Sequence, residues 1–185
     1  MIKELLQDTE SRMEKAVEAM ERDFRSIRTG RASPALLESV MVEYYGTPTP
    51  LQQLATTSAP EPQMLLVRPY DPTSLAAIER GIMQADLGLN PSNDGRVIRV
   101  PIPRLTEERR RDLVKIVNRR VEEAKVALRN IRRDTLSDLR EYEDEKIISE
   151  DELHRGQDDL QELTDRFVKK IDEIGERKEQ DIMEI

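Results

Sequence analysis

The chain has 185 residues, hydrophobic and charged fractions of 37% each, only 3% aromatic residues and a net charge of −8. Those proportions suit elongated helices with thin apolar seams better than a thick globular core, in one large domain or two small ones. With no cysteine there is neither a disulfide framework nor a thiolate metal site. No run resembles a secretory signal or is apolar enough to span a bilayer, so no membrane partner and a cytoplasmic location are expected.

The first predicted element is a helix. Ile2, Leu6, Thr9, Met13, Ala16, Met20, Phe24 and Ile27 recur at nearly heptad spacing, a seam that buries one narrow stripe. Gly30 and Pro34 are expected to end it.

From 31 to 104 the texture changes. Nine of the ten prolines lie between Pro34 and Pro101, and the tenth is Pro103. Alternating residues at 39–45, 64–69 and 96–102 predict short strands. Asp71-Pro72 supplies a cap and a first helical residue for a short helix bearing Leu75, Ile78, Ile82 and Met83. Asn93-Asp94-Gly95 predicts a tight hairpin turn. These elements form a small α+β domain inserted between helices. Its connections at 29–33 and 101–105 make a hinge of Gly30, Pro101 and Pro103. Tyr44 and Tyr45 could stack on bases, but neighbouring strand residues face opposite ways, which puts one in the core and one on the surface.

A second long helix is predicted over about 106–146, roughly 60 Å at 1.5 Å per residue. Thr106 caps it, with Glu107 and Glu108 at its positive dipole end. Its seam is Leu113, Val117, Val121, Ala124, Leu128, Ile131, Thr135, Leu139 and Tyr142. Within it, 109–133 holds ten Lys or Arg against Asp112, Glu122 and Glu123, a net +7 in an acidic chain. Charge sorted so sharply along one helix is the footprint of a phosphate-backbone partner. Lys125, Arg129, Arg132 and Arg133 fall at i, i+4, i+7 and i+8 on one face, where guanidiniums can fork onto phosphates. The plainer alternative is a solvated face neutralised by Asp134 and its neighbours, but Asp134 offsets only one charge.

Ser149 and Glu152 form a capping box that starts a third helix. Its seam is Leu153, Leu160, Leu163, Phe167, Ile171, Ile174 and Ile182. The short turn before it makes the second and third helices antiparallel neighbours. A three-helix bundle of 1–30 and 105–185 buries all three seams. Residues 138–185 carry eighteen acids and eight bases, a surplus expected to repel RNA and orient the bundle.

Catalytic patterns are poor. His154 stands alone as the single histidine, and no phosphate-binding glycine loop is present. Glu141, Glu143, Asp144 and Glu145 lack the spacing of a calcium loop. No enzyme activity, metal or cofactor is expected. On the residues alone, general RNA binding leads. A helical chaperone or adaptor, or a metal-dependent nucleic-acid enzyme at the acid cluster, remain as alternatives.

Several longer motifs resemble one family. They are 27–34 (Ile-Arg-Thr-Gly-Arg-Ala-Ser-Pro), 42–51, 86–91, 99–101, 105–110, 126–134 and 148–151, in order over nearly the whole chain. This series is similar to bacterial ribosome recycling factor. The resemblance implies a long three-helix bundle with a small βαβ-type domain set as a tRNA-like L, acting as a monomer. It implies a non-enzymatic translation factor that binds large-subunit rRNA and, with elongation factor G and GTP, splits the post-termination ribosome. It also makes Arg110, Arg129 and Arg132 rRNA contacts, with Arg133 beside them and Arg28 and Arg31 as further candidates near the hinge. The segment 56–71, with Pro60 and Pro62, departs from the family pattern, which bears on the elongation factor G it would work with.

Overall fold

The computed structural model describes residues 1–27 and 29–184. The chain forms two compact units, one of Met1–Ile27 with Arg110–Glu184, the other the stretch between them, up to Arg109.

Three helices build the first unit: α1 (Ile2–Arg25), α4 (Glu107–Asp144) and α5 (Glu150–Met183). The seams read from the sequence are the buried stripes, from Thr9 to Phe24 on α1 and from Leu113 to Leu139 on α4. Contacts set the directions. Thr9 and Thr135 hydroxyls share a buried 2.6 Å hydrogen bond and Arg120 Nε meets Asp23 Oδ2 at 2.6 Å, so α1 and α4 are antiparallel. The turn at 145–149 reverses the chain, with Lys146 at φ +58 and the Ser149 hydroxyl accepting from Glu152 N at 3.1 Å. Thr106 likewise accepts from Arg109 N at 3.1 Å, as its capping role requires.

Three details of the bundle differ from the sequence pattern, the first being that α1 buries Val17 while Ala16, expected in the seam, is only partly buried. α1 ends at Arg25, before Gly30, because Ser26 turns back onto Asp23 O through both its N–H and its hydroxyl. On α5 the most buried positions include Gly156, Thr164 and Gly175, while Leu163 and Ile174 are only partly buried. A Cβ on Gly175 would stand 2.6 Å from Val121 Cγ2, and one on Gly156 3.2 Å from Leu139 Cδ2. The glycines let α5 approach α4 closely, and glycine gives no hydropathy signal.

The second unit holds a two-stranded ribbon, β1 (Met41–Tyr44) with β2 (Thr47–Pro50), and a four-stranded sheet in the order β3-β4-β6-β5. The sheet strands are β3 (Ala55–Glu61), β4 (Met64–Pro69), β5 (Ser92–Asn93) and β6 (Ile98–Pro101). A one-turn helix, α2 (Leu51–Leu54), joins β2 to β3, and α3 (Leu75–Gln84) lies between β4 and β6 in sequence. β4 and β6 pair antiparallel, so the strand–helix–strand order folds back rather than crossing over. The inner residues Leu65, Val67, Ile98 and Val100 pack with Ile78, Ile82, Val42 and Ile102 into one core.

Local corrections have local causes. Asp71 caps a 3-10 turn, Pro72–Ser74, that leads into α3. Gly81, not Met83, faces the ribbon, because a Cβ there would lie 3.1 Å from Met41 O; Met83 is exposed. The turn after Asn93 is wider than two residues: Asn93 pairs with Ile98, and the Asp94 carboxylate accepts from Arg96 N and Val97 N. Tyr45 is a turn residue rather than a strand residue, and neither it nor Tyr44 is in the core. β2, β3 and β5 lie outside the predicted strands: Pro48, Pro50 and Pro60 are poor strand residues tolerated at edges and bulges, and β5 is only two residues long.

Candidate nucleic-acid interface on helix α4

A surface can grip phosphate only with cations that the protein has not already neutralised. Lys125 is committed: its ammonium meets Asp172 Oδ1 of α5 at 2.7 Å and Glu122 at 3.8 Å. The hydrogen bond to Asp172 holds its pKa above the usual lysine value. Arg120 is committed to Asp23 of α1. Asp134, the expected local neutraliser, turns to Arg12 of α1 at 3.2 Å and leaves the α4 arginines alone.

Among the described residues, Lys115, Arg119, Arg132 and Arg133 have no acidic partner, and Arg129 has only Glu122 at 3.9 Å. Lys115, Arg119, Glu122, Val126, Arg129 and Arg133 follow steps of three and four, so they form one outer stripe opposite the seam. From Lys115 to Arg133 that stripe runs about 27 Å. Arg132 borders it, partly buried. The Lys115 and Arg119 end carries a sequence signal of its own, a second three-and-four spacing with bases at four of its six positions, offset from the apolar one.

Arg110 sits apart. It is 9% exposed and about 29 Å down the helix from Arg129. The Nε atoms of Arg110 and Arg132 are both buried without a hydrogen-bond partner among the described residues. Such nitrogens are costly to leave unmatched. Arg133 is fully on the surface and Arg31 is exposed in the first connection. Arg28 lies outside the described residues.

The two connections are laced together within the second unit. Ala32 N donates to Pro62 O at 2.6 Å and Ile102 N to Gln63 O at 2.8 Å, neighbouring carbonyls of the β3–β4 turn. Gly30, at φ +78, packs where a Cβ would be 3.4 Å from Leu105 Cγ. Pro101 is the last residue of β6, paired with Met64, and the chain leaves regular structure only after it.

Other chemistry is sparse. His154 is exposed, 3.7 Å from Glu150. Among the described residues no group of three or more His, Cys, Asp or Glu is placed to hold a metal ion, and no helix is long and apolar enough to cross a membrane.

Comparison with known proteins agrees with this geometry. The model of the family described as ribosome recycling factor matches residues 20–183. The chain is 55% identical to the ribosome-recycling factor of Syntrophomonas wolfei and 56% identical to that of Chloroflexus aggregans, each over the full length of both chains. Its fold is similar to a solution structure of a ribosome recycling factor, with TM-score 0.79 and 41% identity over 100% of this chain and 98% of that one. It also resembles the T. thermophilus ribosome recycling factor, from models of that protein and E. coli elongation factor G bound to the E. coli post-termination complex. That likeness has TM-score 0.68 and 48% identity over both full chains. With a family match over most of its length and relatives above half identity, the chain belongs to the ribosome recycling factor family.

Proposed function

We propose that this chain disassembles the post-termination ribosome, binding large-subunit rRNA through α4 and, with elongation factor G and GTP, driving the subunits apart in the cytoplasm. The observation that carries the rRNA contact is the stripe of uncommitted bases from Lys115 to Arg133, left free because Asp134, Asp23 and Asp172 are engaged in joining helices. Arg129 and Arg133 form its C-terminal end, and Arg132 borders them. Arg110 and Arg31 are further contacts, the first supported by its unmatched buried Nε. Arg28 completes the set on resemblance. The relative bound with elongation factor G on a post-termination complex supports the choice of partners.

The chain's part is mechanical, with no catalytic step of its own: GTP is hydrolysed by the partner. A bundle with a continuous 38-residue helix transmits force, and a hinge at Gly30 and Pro103 lets the second unit move; Pro101, expected in the hinge, is instead held in β6 by its pairing with Met64. The lacing of both connections onto Pro62 and Gln63 makes that hinge one pivot rather than two independent tethers.

The test is subunit splitting of post-termination ribosomes followed by light scattering. Splitting is expected only with this protein, elongation factor G and GTP together, and Arg129→Ala/Arg132→Ala should abolish it while leaving the thermal unfolding unchanged. Splitting at the unsubstituted rate by the double variant would refute the docking role.

A further inference from the structure

The cationic stripe of α4 is interrupted at its middle. Between Arg119 and Arg129, about 15 Å apart along the helix, the outward positions are Glu122 and Val126. Glu122 is 65% exposed and Val126 45%. The one other acid between those arginines, Glu123, is exposed about 100° round the helix. Internal packing explains neither Glu122 nor Val126. The Glu122 carboxylate lies 3.8 Å from the Lys125 ammonium and 3.9 Å from Arg129 Nη2, beyond hydrogen-bond reach, and Lys125 has a nearer acid in Asp172. Both Glu122 oxygens therefore stay open as acceptors in the middle of a row of bases.

The bundle limits what this stripe can meet. α4 buries its seam from Leu113 to Leu139, so only its outer strip is free and the helix cannot sink into a deep groove. In B-form DNA the minor groove, about 6 Å wide, is narrower than a helix about 10–12 Å across, and the major groove is about 8.5 Å deep. An A-form RNA duplex offers a wide, shallow minor groove that displays base edges and 2′-hydroxyls. The phosphates of its two strands flank that groove.

The order of charges along the stripe matches this cross-section. Lys115 and Arg119 at one end, and Arg129 and Arg133 at the other, suit the two phosphate rims. A carboxylate between them would be repelled by phosphate, and it accepts hydrogen bonds without donating any. It needs a hydroxyl or amino donor opposite, which the groove between the rims supplies. Val126 beside it needs apolar surface, and the ribose carbons provide that.

We propose that α4 lies across the minor groove of an RNA duplex and that Glu122 selects RNA there, its carboxylate accepting a hydrogen bond from a ribose 2′-hydroxyl while Val126 packs on the sugar. The bases at either end of the stripe supply affinity without regard to the sugar; Glu122 supplies the discrimination. The inference names what the docking stripe reads, and so rests on the function proposed above.

The experiment measures binding of the full chain to isolated large subunits, in competition with a short RNA stem or with the same stem carrying 2′-fluoro groups. The fluoro stem keeps the A-form shape and loses the hydroxyl donors. The unsubstituted protein should prefer the hydroxyl stem by roughly two- to ten-fold, the worth of one hydrogen bond. Glu122→Ala should lose that preference, and Glu122→Gln, whose amide oxygen still accepts, should keep it. On the subunits themselves, Glu122→Ala should bind more weakly, although it removes a negative charge from a row of bases. A Glu122 that merely steadies Arg129 would weaken binding to both stems alike, which overturns the inference, as does tighter subunit binding by Glu122→Ala. Equal competition by the two stems, or none by either, also overturns it; if Arg133→Ala still weakens subunit binding, the docking reading stands. No binding of the unsubstituted protein to large subunits overturns both.

Discussion

Replacing Arg133 and Lys125 by alanine, one at a time, separates a docking cation from a structural one on the same helix. Both remove one positive charge, at positions only eight residues apart on the helix, so an account based on net charge predicts equal effects. The structure predicts opposite ones. Arg133 is exposed with no acidic partner among the described residues, whereas the Lys125 ammonium is 2.7 Å from Asp172 and its side chain is 21% exposed. Five bases, Lys115, Arg119, Arg129, Arg132 and Arg133, are little committed. If each neutralises one phosphate, log K for large subunits against log salt has a slope of about −4, at roughly 0.7–0.9 per contact. Arg133→Ala should then reduce that slope by about 0.7–0.9 and weaken binding by roughly 1–3 kcal/mol, the range for a charge-assisted contact, with stability unchanged. Lys125→Ala should leave the slope as it was and lower stability by about 0.2–1 kcal/mol, the worth of an ion pair still open to solvent on its Asp172 side. The assay is sedimentation binding to isolated large subunits across a salt series, with chemical denaturation alongside. Equal slopes for the two variants would show that the internal ion pairs do not decide which bases dock.

Gly175→Ala tests the close approach of α5 to α4: helix propensity favours the change by about 1 kcal/mol, but the added Cβ meets Val121 Cγ2 at 2.6 Å, and overpacking costs about 1–3 kcal/mol. Lower stability is expected, relieved when Val121→Ala is added; a higher melting point for the single variant would show that α5 shifts freely. Asp94 is held below its usual carboxyl range by Val97 and Arg96 N–H groups, and Asp71 by Thr73. The folded pKa values are the lower ones, so their stabilisation is complete above the unfolded value of about 3.9 and is lost as pH falls through the folded values. Asp94→Asn should flatten the acid limb of second-unit stability below about pH 4, and an unchanged limb in pH-resolved denaturation would contradict this. Hydrogen exchange should find the Ala32 and Ile102 amides protected together, and a glycine inserted after Pro62 should release both while β4 and β6 stay protected. Release of one amide alone would mean two separate tethers rather than one pivot.

The long helices were legible because a buried stripe on a helix must recur at three and four residues, and the seams from Met13 to Phe24 and from Leu113 to Leu139 do so. The capping roles of Thr106, Ser149 and Asp71 were legible for a similar reason: each acts on a backbone N–H two or three residues away. The basic excess of α4 was a property of composition. The ribbon and β3 were harder, because their prolines argue against strands and only edge positions excuse them.

What the sequence determined by itself was therefore what depends on near neighbours: helix periods, caps, the inserted segment and the charge carried by each stretch. Tertiary structure decided which charges remain available. Asp134 is adjacent to Arg133 in sequence yet pairs with Arg12, 122 residues away, while Lys125 is lost to Asp172 of another helix. It also decided that Gly81, Gly156 and Gly175 are contact points, and that Pro62 and Gln63 tie both connections together. Ion pairs, close backbone approaches and carbonyl acceptors form between groups brought together by packing, and a hydrophobic period records that packing occurs without recording what it brings into reach.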